Sequence, residues 1–209
     1  MTVAKVKTRK RLTREESRAQ TCATLIAVGR KHFLRYGLGG AVAEKIAEDA
    51  GYSRGALYCN FDGKEELFLA VLQQEQENRS DIFRTLMEAG TNNKQRLRAM
   101  RDAVAAMVTD RDWIVLRSEF EAGALVSERI RKAFVCAHRQ QISDGGNCMR
   151  ELIDEPGITA SLSPDDFIMV MLNLVHGLAV TQKIMGAELS QKSIRKLIQT
   201  LFDRLISCE

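Results

Sequence analysis

Arg54, Gly55, Tyr58 and Cys59 fall on one side of a short helical stretch whose opposite side carries Leu57 and Phe61, one turn apart. A guanidinium at Arg54 can donate to O6 and N7 of a guanine together, a contact that discriminates against other bases by about 1–3 kcal/mol, or it can meet phosphate alone. Gly55 has no side chain to hold a partner backbone away, and Ala56 either meets a thymine methyl or packs internally. This is the chemistry of reading a duplex. Catalysis would need a nucleophile with its base, paired carboxylates, a phosphate-binding glycine loop or metal ligands at workable spacing. The three histidines lie far apart, Gly145-Gly146 lacks the flanks of a phosphate loop, and Asp165-Asp166 reads as the acidic first turn of a helix. No enzyme, cofactor or metal site is therefore predicted.

The elements that must position Arg54 are short. Ile46, Ala47 and Ala50 share one face of a helix over 43–50, Gly51 stands where a left-handed C-cap reverses the chain, and Ser53 can cap a second helix over 54–60. Two helices joined in this way form a helix-turn-helix, whose second helix enters the major groove.

The string Gly37, Ile46-Ala47, Ala50-Gly51, Ser53-Arg54-Gly55-Ala56-Leu57-Tyr58, Phe61, Lys64-Glu65-Glu66-Leu67 closely resembles the N-terminal domain of the TetR family of bacterial regulators. The resemblance covers roughly the first third of the chain as motif. It implies an all-α homodimer that binds a double-stranded inverted-repeat operator and leaves it when a small molecule enters the C-terminal domain. It also implies that the Tyr58 hydroxyl and the Lys64 ammonium meet phosphates, Lys64 from a helix N-terminus that favours anions. Three departures bear on the operator. The capping Ser or Thr of the first motif helix aligns with Ala41 or Val42, Tyr52 replaces a small aliphatic residue, and Cys59 and Asn60 stand where aromatic or His residues are common. The half-site cannot be borrowed from a relative, and Cys59 and Asn60 are added to the DNA-facing set. Cys59 is either a space-filling residue or, in basic surroundings that can lower a thiol pKa, a redox switch on DNA binding.

Charge supports one polyanion-binding end. Residues 1–64 hold 13 Lys or Arg against 6 Asp or Glu, and the remaining residues hold 18 against 21. Lys5, Lys7, Arg9, Lys10 and Arg11 form a flexible basic arm over 1–12, and Arg9, Lys10, Arg11 and Arg14 add phosphate or minor-groove contacts or merely non-specific affinity. Five widely spaced cysteines without a CxxC pair suggest neither a disulfide framework nor a zinc site, which makes a reducing cytoplasm the simplest home. No apolar run approaches the ~18 residues of a membrane span.

The predicted fold has about nine helices: a three-helix DNA-binding domain over 13–64 and a C-terminal effector-binding and dimerisation domain over 65–209. Thr13 to Glu16 has capping-box spacing for a first helix that Gly37 ends, and a long helix from Lys64 carries a stripe that includes Phe83 and Leu86. Asp112 can cap a helix from Trp113, Asp144 to Asn147 interrupts the helix that begins near Glu128, and 156–163 is a loop before a Ser163-Pro164 helix start. For a ligand pocket, Met107, Trp113, Phe120, Phe134 and Met171 are apolar candidates, each of them equally ordinary core. His138, Asn173 and His176 are the polar candidates. The terminal stripe Ile194, Leu197, Ile198, Leu201, Phe202 and Leu205 is predicted to form the dimer face beside the apolar 167–178 segment. The function expected is a ligand-responsive transcriptional regulator, a repressor in the simplest case. The alternative is an architectural or protein-partnered DNA binder with no effector.

Overall fold

The computed structural model describes residues 13–154 and 156–208; the arm over 1–12 and the side chains at Phe83, Leu86 and Cys208 lie outside the described set. Among the described residues the regular elements are helices apart from one two-stranded ribbon, and the chain divides into two compact units at Val71/Leu72.

The N-terminal unit contains α1 (Arg14–Gly40), α2 (Ala43–Asp49), α3 (Arg54–Tyr58) and the start of α4 (Lys64–Ala89). Thr13 Oγ1 accepts from the Glu16 amide at 3.1 Å and the Glu16 carboxylate accepts from the Thr13 amide at 2.7 Å, so the capping box forms. Gly37 kinks α1 at φ 69° and does not end it, since a glycine takes that angle freely and helical residues follow. Leu25, Phe33, Ile46, Leu57, Leu67 and Phe68 are enclosed, with the Phe33 and Phe68 rings edge to face at 5.0 Å. His32 is buried with its Nε2 at 2.9 Å from Asp49 Oδ2, and this bond leads the causes that hold the Asp49 carboxyl below its ordinary pKa.

The C-terminal unit continues α4 and adds α5 (Asn93–Ala106), α6 (Arg111–Val126), α7 (Glu128–Ile153), α8 (Pro164–Met185) and α9 (Gln191–Leu205). Polar side chains start these helices. Asn92, Ser127, Ser163 and Ser190 each accept from an amide three residues on, and α6 is capped by Asp110, not Asp112, through a 3.0 Å bond from the Trp113 amide. The Asp144–Asn147 stretch does not interrupt α7. Its glycines serve packing instead: a Cβ on Gly145 would lie 2.9 Å from Ile168 Cδ1, and one on Gly146 would collide with Asp165 Oδ1.

Two strands were not anticipated. β1 (Ile158–Ala160), inside the expected loop, pairs antiparallel with β2 (Ile206–Cys208), so the chain passes from helix to strand at Ile206. Three-residue strands carry too little periodicity to be read from sequence.

The core of this unit includes Leu97, Met100, Met149, Phe167, Met171 and the inner side of α9. Ile194, Ile198 and Phe202 are 2%, 0% and 2% exposed, which removes them from the predicted dimer face: they close the protomer's own core. Leu197 is exposed, and Leu201 and Leu205 are half-buried. The segment Pro164–Glu188 contains an 18-residue stretch that is long and apolar enough by length and composition to cross a membrane, contrary to the expectation that no run would be. Phe167, Met171, Val175 and Ala179 on its inner side are buried in the core, while Met169 and Val170 are exposed.

Candidate functional site

In the N-terminal unit, α2 ends in a Schellman turn: the Gly51 amide donates to Glu48 O at 2.9 Å, the Tyr52 amide to Ala47 O at 2.9 Å, and Gly51 takes φ +77°. Ser53 Oγ then accepts from the Ala56 amide at 3.2 Å and starts α3. Leu57 is wholly buried and Phe61 nearly so, which fixes the opposite side outward. Arg54, Gly55, Tyr58 and Cys59 are all exposed there, and Ala56 is half-buried. Val42 occupies the N-cap of α2 and offers no side-chain acceptor, matching the missing Ser or Thr.

Glu44, which sequence reasoning missed, organises this face. Its Oε1 accepts from the Tyr58 hydroxyl at 3.2 Å and lies 3.3 Å from Arg54 Nε, and the Arg54 guanidinium sits over the Tyr58 ring at 5.3 Å from its centroid. The Glu44 carboxyl lies below its ordinary pKa, first through its own backbone amide and then, against a desolvation cost, through Tyr58 and Arg54. A carboxylate in the first turn of α2 was a visible signal, but its contact with α3 depends on the crossing of the two helices.

Two residues predicted to contact DNA have partners within this unit. Asn60 is turned inward: its Oδ1 accepts from Arg18 Nε and Cys22 Sγ, both at 3.2 Å, and its Nδ2 donates to Ala56 O at 2.8 Å, so the amide is committed to holding α1 against the end of α3. The Lys64 ammonium donates to Gly39 O at 3.0 Å and Ala41 O at 3.2 Å, binding the turn before α2. A contact with phosphate would have to share that ammonium. Arg14 is exposed at the start of α1.

The C-terminal unit contains a cavity of about 640 Å³. Of the predicted ligand residues, Met107, Trp113, Met171 and His176 line it. Phe120, Phe134 and His138 do not. Between α6 and α7 the Phe134 ring meets Phe120 edge to face at 5.1 Å and stacks on His138 at 5.5 Å, and burial followed by the Arg117 charge holds His138 below its ordinary pKa. Asn173 is also outside the cavity: it is exposed and donates to Met169 O at 2.8 Å.

The polar chemistry of the cavity lies in arginines that sequence reasoning passed over. Arg117 is 5% exposed, with its Nε donating to Glu121 Oε1 at 3.0 Å, while Glu121 Oε2 meets His176 Nε2 at 3.1 Å. Burial works against the Glu121 charge, yet the bond and charge of His176, together with Arg117, hold its pKa below the ordinary value. Arg79 pairs with Asp110 and lies over the Trp113 ring, 4.4 Å from its centroid. Arg117 Nη2 and Arg79 Nε are buried without a hydrogen-bond partner among the described residues. The signal available in sequence was Arg117 and Glu121 at helical i,i+4 spacing on a stretch that also carries Trp113 and Phe120.

Residues 25–71 match the family described as bacterial regulatory proteins, tetR family. The chain is 39% identical over 93 residues to the HTH-type transcriptional activator FasR of Mycolicibacterium smegmatis, an alignment covering 44% of this chain and 41% of FasR. It is 27% identical over 115 residues to the HTH-type transcriptional repressor AcnR of Corynebacterium diphtheriae, covering 55% of each. The match thus spans about half, or less, of these relatives' lengths. Among solved structures, a transcriptional regulator from Saccharomonospora viridis in complex with choline superposes with a TM-score of 0.75 at 15% identity, covering 90% of this chain and 98% of that one. That likeness extends the shared fold through the C-terminal unit. Over residues 25–71 the chain thus carries the sequence of the tetR family of bacterial regulatory proteins, and beyond them its likeness to solved structures is one of fold.

Proposed function

We propose that the protein is a DNA-binding transcriptional regulator, and not an enzyme, that leaves an inverted-repeat operator when a small molecule occupies its C-terminal cavity. The observation that carries the DNA-binding half is the outward face of α3, where Arg54, Gly55 and Tyr58 stand exposed on a helix set by the Gly51 turn and the Ser53 cap. The sensing half rests on the cavity, whose volume lies in the usual range for small-molecule sites, about 300–1,000 Å³. The S. viridis neighbour, solved with choline, supports a ligand-binding role for this fold. A fully packed core would have favoured the effector-independent alternative.

The operator-binding form is a homodimer. Its face is the outer side of α8 and α9, where Met169, Val170 and Leu197 are exposed, in place of the full α9 stripe. Ligand acts by binding more tightly to a dimer whose recognition helices misfit successive major grooves, since equal affinity for both forms would shift nothing. A dimer overlapping a promoter represses and one placed beside it activates, so one cycle serves relatives named as repressor and as activator. Sequence selection from random duplex DNA tests the reading: recovery of an inverted repeat is expected, and recovery of no shared sequence would overturn it.

A further inference from the structure

The cavity holds a feature that packing alone does not account for. Arg117 is almost wholly buried, one of its guanidinium nitrogens is held by Glu121, and Nη2 has no acceptor. Arg79 Nε, on the same cavity wall, is in the same condition. A buried donor without an acceptor is costly, and the cost is recovered when an acceptor arrives. We propose, building on the sensor reading above, that the ligand is an apolar molecule ending in a carbonyl-type oxygen, as carboxylate or neutral carbonyl, that accepts from Arg117 Nη2.

The rest of the lining selects against other classes. Met100 and Val104 of α5, Ile114 of α6 and Ile168, Met171 and Val175 of α8 give the wall the apolar surface that accepts an apolar body. Each arginine already has a carboxylate, Asp110 for Arg79 and Glu121 for Arg117, so the site does not carry the surplus positive charge that a phosphate dianion needs. A cationic head is no better placed. The ring face of Trp113 is occupied by Arg79, which removes the cation–π site, and Glu121 already serves both Arg117 and His176. Arg84, the third lining arginine, is likewise paired, with Asp81, and the lining carboxylate of Asp144 accepts from Gln140.

Trp113 is the chain's single tryptophan and lines the cavity, so its fluorescence reports occupancy with no DNA present. The full chain would be titrated with three probes of one chain length: decanoate, decanamide and decylamine. Decanoate, decanamide or both should change the emission saturably, with decylamine at least about tenfold weaker, the loss expected when a charged donor has no acceptor. The ratio of decanoate to decanamide affinity decides between carboxylate and neutral carbonyl. The paired variant Arg117→Met/Glu121→Gln, which leaves no unpaired buried charge, should bind decanoate at least about tenfold more weakly at unchanged circular dichroism. Decylamine binding as tightly as the acceptor-ended probes, no probe changing the emission, or full decanoate affinity in a folded variant would each overturn the proposal; if the variant does not fold, the probe series decides. A separate titration of operator DNA distinguishes the two readings: ligand that binds the cavity without changing operator affinity refutes the sensing mechanism and leaves the ligand class standing.

Discussion

Phe202 and Leu197 lie on one apolar stripe of α9 and have opposite surroundings. Phe202 is 2% exposed and meets Phe167 edge to face at 5.2 Å, whereas Leu197 is 44% exposed. Phe202→Ala removes a ring from closed packing, a change that costs about 3–5 kcal/mol. Against a domain stability on the order of 5–15 kcal/mol, that is a large fraction. Leu197→Asp removes no enclosed contact, so protomer stability should change by no more than about 0.5 kcal/mol. Its effect should instead be on association. Urea unfolding followed by circular dichroism at two protein concentrations separates the terms, because dissociation makes the midpoint concentration-dependent and a core defect lowers it at both. Light scattering should show Leu197→Asp as a folded monomer. Phe202→Ala unfolding within about 0.5 kcal/mol of the parent would refute the assignment of this residue to the core. A dimeric Leu197→Asp would refute the α8–α9 interface and leave the core assignment intact.

Arg54→Ala should flatten the differences among single-base operator variants by about 1–3 kcal/mol at one position; unchanged relative affinities, read by fluorescence anisotropy, would end its base-reading role. Glu44→Gln removes the carboxylate shared by Arg54 and Tyr58, so affinity for all duplexes should rise while discrimination between operator and random DNA falls, and a loss of affinity for both would contradict this. Cys59 is exposed at the end of α3, and if it is the switch, mild peroxide abolishes operator binding in the parent, dithiothreitol restores it and Cys59→Ser is resistant; equal sensitivity of both proteins ends that reading. Because the folded state holds the Glu121 pKa below its unfolded value, its contribution to stability is present above the ordinary carboxyl range and is lost as pH falls through the depressed value. Denaturation midpoints from pH 7 to pH 3 should therefore fall more steeply in the parent than in Glu121→Gln, and parallel slopes would remove the Glu121 cluster as a cause.

Local chemistry made the N-terminal unit readable. A capping box at Thr13, a glycine at Gly51 with positive φ, a cap at Ser53 and the buried pair Leu57 and Phe61 all act within a few residues, so the outward set Arg54, Gly55, Tyr58 and Cys59 follows from spacing alone. What failed there depended on another helix. Asn60 is committed by Arg18 and Cys22 on α1, and Arg54 and Tyr58 are held by Glu44 on α2, contacts for which linear spacing offers no rule. In the C-terminal unit, periodicity identified α9 as amphipathic, but an apolar stripe is wanted equally by a core and by a partner. Only the packing of α9 against Phe167 and its neighbours divided Ile194, Ile198 and Phe202 from Leu197. Gly145 and Gly146 looked like a helix break because glycine weakens a helix, and the close approach of Ile168 and Asp165 is a tertiary reason for them that sequence does not carry. The cavity is the extreme case: its residues come from five helices and the 3₁₀ turn at Met107–Thr109, and a buried guanidinium nitrogen without an acceptor among the described residues, Arg117 Nη2, exists only once those helices have closed around it.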